Sequence, residues 1–111
     1  MRGVIACCLG ALAVAGCARG ARDELARQTI AANCGACHTV PGVGTARGKV
    51  GPSLAGIGSR QVIAGRLPNS RANMLHWITH AQSVEPGSVM PDIPLTPAQA
   101  GAVADYLYSL D

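Results

Sequence analysis

Five consecutive residues, Cys34-Gly35-Ala36-Cys37-His38, carry the densest chemistry in the chain. Two thiols three residues apart, followed at once by an imidazole, form the C-x-x-C-H signature of covalent haem attachment. On one turn of helix the i and i+3 sulfurs point to the same side, where they can bond the two vinyl groups of one porphyrin. The imidazole of the next residue then rises under the iron. Two other chemistries use the same thiol pair. A thioredoxin-type redox pair would need a βαβ pattern, which the sequence lacks, and half of a zinc site would need two more thiol or imidazole ligands, with no second C-x-x-C to supply them.

With His38 as proximal ligand, the iron needs a sixth partner or an open position. Met90 is the candidate, because it lies in Pro86-Gly87-Ser88-Val89-Met90-Pro91, where flanking prolines forbid a helix and let a side chain point inward. Met74 is a weaker rival, since it falls on the apolar stripe of a helical segment and reads as packing. His76 and His80 are ligands in principle, but they lie on the opposite side of that helix from the stripe and read as solvated surface residues.

The elements that must position these groups are helical. Asp23-Glu24 opens a helix with acids at its positive end, and Leu25, Thr29, Ile30 and Asn33 share one side of it up to the haem motif. Residues 41–58 hold six glycines and two prolines without strand alternation, which predicts an extended loop with a short helical turn around residues 53–57. A loop of that length in a small domain has to wrap something. Ser70 caps an amphipathic helix to Ala81, bearing Met74, Trp77, Ile78 and Ala81 on one arc. Thr96-Pro97-Ala98-Gln99 carries the N-cap, the first-turn proline and the capping-box glutamine of a final helix, whose buried stripe is Ala100, Val103, Ala104, Leu107 and Leu110, with Tyr106 at its edge.

The chain has 111 residues with no phenylalanine and only Trp77, Tyr106 and Tyr108 as aromatics, so a multidomain enzyme is excluded and the core needs another filler. Residues 1–16 read as a signal peptide: one early arginine, then an uncharged run from Val4 to Ala15 of some 18 Å as a helix, short of the roughly 30 Å hydrocarbon core. Val14-Ala15-Gly16-Cys17 resembles the bacterial lipobox, which implies cleavage before Cys17 and acylation of that cysteine. Residues 17–22 then form a polar tether and 23–111 the domain. The product is expected to be exported, to the periplasm or the outer face of the cell membrane, and held there by lipid. The formal charge of +3 includes only one lysine, Lys49, so long-range steering is modest and nucleic-acid binding has no support.

The C-x-x-C-H motif, Gly51-Pro52-Ser53-Leu54, the Met90 segment and the closing Tyr106-Leu107-Tyr108-Ser109-Leu110 stand in the order and spacing of the class I c-type cytochromes, which residues 22–111 resemble. The likeness is to small bacterial monohaem members, including the haem domains fused to subunit II of some haem-copper oxidases, although no copper-binding half is present. The resemblance implies an all-α small cytochrome c fold, three or more helices with long loops wrapped around one covalent haem c. It also implies that the Pro52 carbonyl accepts a hydrogen bond from His38, that Arg60 contacts a haem propionate, and that Trp77 lies on the distal side near Met90. Ala26 stands where many relatives have glycine at the crossing of the terminal helices, and Ile30 replaces a common aromatic. A one-electron carrier follows, not an enzyme and without a small-molecule substrate, with membrane redox complexes as partners: a quinol-oxidising complex as donor and a terminal oxidase as acceptor. The alternatives are a haem enzyme or gas-binding module with a labile distal position, and a docking haem subunit of one permanent complex.

Overall fold

Thr96 caps the last helix as its sequence demands: its hydroxyl accepts from the Gln99 amide at 3.2 Å, while the Gln99 side chain accepts from the Thr96 amide at 2.9 Å. The computed structural model describes residues 6–111, so the first five residues of the leader, Arg2 among them, lie outside the described residues. Among the described residues there are four helices and one small antiparallel sheet: α1 (Ala6–Asn33), β1 (Val62–Ile63), β2 (Leu67–Pro68), α2 (Arg71–Thr79), α3 (Ala81–Val84) and α4 (Pro97–Tyr108), with a 3-10 turn at Ile57–Ser59. Among the described residues no helix is long and apolar enough to cross a membrane.

Helix α1 corrects the expected start at Asp23. It runs unbroken through residues 17–22, because Ala18, Arg19, Ala21 and Arg22 are all good helix formers and the lone Gly20 costs only about 1 kcal/mol. Residues 14–24 are exposed, and packing begins where Arg22 reaches Asp105 of α4 at 2.7 Å. From there α1 crosses α4 through Ala26 and Ile30, both fully buried, against a helix whose Ala102, Val103 and Ala104 are at most 1% exposed. The missing family glycine and aromatic are thus replaced by a small alanine and a buried isoleucine without loss of the crossing. Tyr106, expected at the edge of its helix, is buried, and its hydroxyl donates to the Pro41 carbonyl at 2.6 Å.

The segment 41–58 contains more order than its glycine and proline content suggests. Val40, Val43 and Ala46 are buried, and the backbone folds on itself through Val40 N–H to Ala46 O at 3.2 Å and Ala46 N–H to Val43 O at 3.0 Å. The helical turn forms at residues 57–59 instead of 53–57. It is followed by the hairpin β1–β2, which an all-helical reading omits: the strands are two residues each, too short to show alternation. Their connection places Ala64 and Gly65 at φ 55° and 66°, the left-handed pair that tight hairpins require.

Asn69 joins these pieces. Its side-chain amide donates to the carbonyls of Ile57 at 2.9 Å and Arg60 at 2.8 Å, and its carbonyl oxygen accepts from the Tyr108 hydroxyl at 2.6 Å. The 3-10 turn, the hairpin and the end of α4 are thereby tied at one residue. Gly58 N–H adds a bond to the Leu110 carbonyl at 2.8 Å.

Candidate functional site

The haem motif continues the turn geometry of α1 past its last residue. Cys34 N–H bonds Ile30 O at 2.8 Å, Cys37 N–H bonds Cys34 O at 3.1 Å, and His38 N–H bonds Cys34 O at 2.9 Å. Cys34, Cys37 and His38 are therefore held on consecutive turns of one rigid element, each half-buried. All three line one cavity of about 680 Å³, within the size range of cofactor sites.

The glycine-rich loop clamps this motif from below. Gly48 N–H donates to Gly35 O at 3.0 Å and Gly51 N–H to Cys37 O at 2.8 Å. Next along the chain, the Pro52 carbonyl oxygen lies 2.7 Å from His38 Nδ1. A carbonyl can only accept, so Nδ1 carries the proton and Nε2 keeps its lone pair free for a metal. Such a bond also raises the basicity of the imidazole. Gly51 is required by close approach: a Cβ there would run into the His38 ring, with Nδ1 at 2.8 Å and Nε2 at 2.9 Å.

The remaining walls come from distant parts of the chain. Ile57, Ile63, Ile78, Val103 and Leu107 make the cavity predominantly apolar, and Met74, Trp77 and Met90 also line it. The two methionines differ. Met74 is only 3% exposed, packed into the core on α2, whereas Met90 is half-buried on the loop between α3 and α4 and open to the cavity. His76 and His80 are exposed, stack on each other with ring centroids 5.4 Å apart, and do not line the cavity. Arg60 lines it at the rim, its Nη2 donating to the carbonyls of Ser53 at 2.7 Å and Ala55 at 3.2 Å. It makes no ion pair among the described residues, unlike Arg66, which lies 3.7 Å from Glu85. Three exposed valines, Val50, Val62 and Val89, complete the lining, at 69%, 50% and 82% exposure.

The other chemistries of the thiol pair lose ground here. Burial, with the neighbouring Cys37 adding to it, pushes the Cys34 thiol up to about 11, the reverse of the lowered value of a reactive redox thiol. No group of three or more His, Cys, Asp or Glu suited to a metal ion is found among the described residues, which leaves the zinc reading without ligands. The donor set fits a haem instead: two adjacent sulfurs, one oriented imidazole nitrogen and one free thioether around a large apolar space.

One residue that the sequence reading did not single out, Gln82 of α3, organises the loop bearing Met90. Its amide bonds three backbone groups between residues 87 and 90. A glutamine in a short polar stretch carries no sequence mark of such a role.

The Cytochrome c family model matches residues 24–111. Two relatives are cytochrome c oxidase subunit 2 proteins. The one from Alkalihalophilus pseudofirmus is 42% identical over 86 residues, covering 76% of this chain and 24% of the relative. The one from Bacillus sp. (strain PS3) is 35% identical over 82 residues, covering 70% of this chain and 23% of the relative. The chain thus spans about a quarter of the length of the curated relatives it matches.

The clamp on the imidazole can be tested by overpacking it. Gly51→Ala should lower the stability of the haem-loaded protein by about 1–3 kcal/mol in urea unfolding, whereas Gly44→Ala, with open space around it, should change it by less than about 0.5 kcal/mol. Equal midpoints for the two variants would contradict the close approach.

Proposed function

The chain belongs to the cytochrome c family, which carries a covalently bound haem c for electron transfer, and from that premise we propose that it is a one-electron carrier with His38 and Met90 as axial ligands. The observation that carries this reading is the convergence of Cys34, Cys37, His38 and Met90 on one apolar cavity. In it Cys34 and Cys37 supply the sulfurs of two thioether bonds, His38 presents Nε2, and Met90 supplies its thioether. When bound, the haem iron takes up and releases single electrons between its ferrous and ferric states.

The residues of the chain decide how that chemistry is used. The soft Met90 sulfur and the aliphatic walls favour the lower charge, which raises the potential relative to bis-imidazole ligation. With His38 and Met90 both holding the haem iron, no position would be left for a substrate, which would favour electron exchange over oxygen chemistry. Arg60, without a carboxylate partner among the described residues and fixed at the rim by two backbone carbonyls, is placed to meet a propionate, and Trp77 lines the same cavity as Met90.

Partners follow from the rim and the relatives. Val50, Val62 and Val89 give the cavity a largely apolar mouth, with Arg60 at its rim, through which a partner can come close. The similarity to cytochrome c oxidase subunit 2 supports a terminal oxidase as acceptor; a quinol-oxidising complex as donor in a respiratory chain is carried over from the family resemblance. Acylation of Cys17, which is exposed on α1, would hold the carrier at the outer face of the cell membrane and raise its effective concentration there.

Three outcomes are expected. Met90→Ala should abolish the sulfur-to-iron charge-transfer band in the far-red spectrum of the oxidised protein and produce a high-spin, cyanide-binding form; a wild-type protein that is already high-spin would favour the enzyme or gas-binding alternative. Stopped-flow mixing with a reduced quinol-oxidising complex or an oxidised terminal oxidase should give electron exchange whose rate changes less than about threefold with ionic strength, because the mouth is largely apolar. Failure to exchange with either would count against the carrier. Cys17→Ser should move the protein from the membrane to the soluble fraction of an export-competent bacterial host, and unchanged partition would dismiss the anchor.

A further inference from the structure

The loop that carries Met90 has no regular secondary structure, yet one side chain bonds three of its backbone groups. Gln82 Nε2 donates to the carbonyls of Ser88 at 2.7 Å and Met90 at 2.8 Å, and Gln82 Oε1 accepts from the Gly87 amide at 3.1 Å. Both donors and the acceptor of the amide are thereby spent on three backbone groups within four residues. The Gln82 backbone N–H is itself fixed by Asp92 Oδ1 at 2.8 Å, so the loop is gripped on both sides of Met90 from one residue. Met90 N–H is bonded to Ser88 Oγ at 3.2 Å, inside the stretch that the amide holds.

From this arrangement we infer that Gln82 is the positioning residue that keeps the Met90 thioether in the cavity and sets how easily an external ligand displaces it. The inference rests on the reading of Met90 as an axial ligand. A ligand on a preorganised loop loses little conformational freedom when it binds, whereas the same ligand on a loose loop gives up that freedom each time and is displaced more readily. Glutamine is the residue the geometry calls for. A carboxylate could accept from Gly87 but could not donate to the two carbonyls, and an aliphatic chain of similar size would leave all three backbone groups without their partner.

The test uses the oxidised holoprotein and imidazole as the competing ligand, followed by loss of the far-red band. Gln82→Leu should keep the band without imidazole but bind imidazole at least tenfold more tightly, and Gln82→Asn, which retains the amide on a shorter stem, should show the same change in smaller degree and decides the matter if the leucine variant fails to fold. Tyr108→Phe serves as the control for general weakening. It removes the bond to Asn69, lowers the urea midpoint, and should leave imidazole affinity at the wild-type value. Wild-type imidazole affinity in both Gln82 variants, or an equal tightening in Tyr108→Phe, would overturn the positioning role while leaving Met90 ligation intact. Absence of the band from the wild-type protein would overturn the ligand reading and this inference with it.

Discussion

The hydrogen bond from His38 Nδ1 to the Pro52 carbonyl, at 2.7 Å, decides what this protein's central imidazole can be. With Nδ1 committed as a donor, the ring has one tautomer and one free nitrogen, and rotation about its side-chain bonds would sacrifice the contact. Everything around that bond serves to keep it. The turns that follow α1 carry the histidine, the loop from Gly48 to Pro52 is laced to the same segment by Gly48 to Gly35 and Gly51 to Cys37, and the absence of a side chain at Gly51 lets the loop come close enough.

The rest of the fold solves a problem of size. A domain of this length with three aromatics has too little to fill its middle, and the helices accordingly stand around a large apolar space instead of closing on one another. Close packing is tightest at the crossing of α1 and α4, where Ala26, Ile30 and Val103 are essentially inaccessible, and the same core continues through Val40, Val43 and Ala46 under the loop and Met74 and Ile78 of α2. Polar bonds then hold the lining: Asn69 secures the wall made by the 3-10 turn and hairpin, and Gln82 secures the wall made by the Met90 loop. A covalent haem supplies the missing apolar bulk, which is why the family's cofactor and this chain's composition belong together.

What could be read from the residues alone follows the range of the interaction. The C-x-x-C-H motif, the Thr96 capping box and the apolar stripes of α2 and α4 are local patterns, and they appear in the structure where the spacing puts them except at the helix ends: α2 stops at Thr79 instead of Ala81, which opens α3, and Leu110 lies past α4 and is half-buried. The site wall was legible as far as Met90, because two prolines and a glycine mark the loop. Gln82 was not, since its side-chain partners are two backbone carbonyls and a backbone N–H that have no letter in the sequence. The hairpin escaped because its strands are two residues long, and the start of α1 was misplaced because the acids at residues 23 and 24 imitate a helix opening within a run of helix formers. Tyr106 looked peripheral on a helical wheel that could not include the loop residue Pro41, 65 positions away, to which it bonds.

The most direct measurement is the mass of the protease-derived peptide containing residues 34–38, taken from protein expressed with a working haem-attachment system. One haem added to that peptide, stable to acid extraction and abolished when Cys34 and Cys37 are both changed to alanine, is the result this account predicts. A peptide of unmodified mass, or one joined only by an internal disulfide, would contradict it.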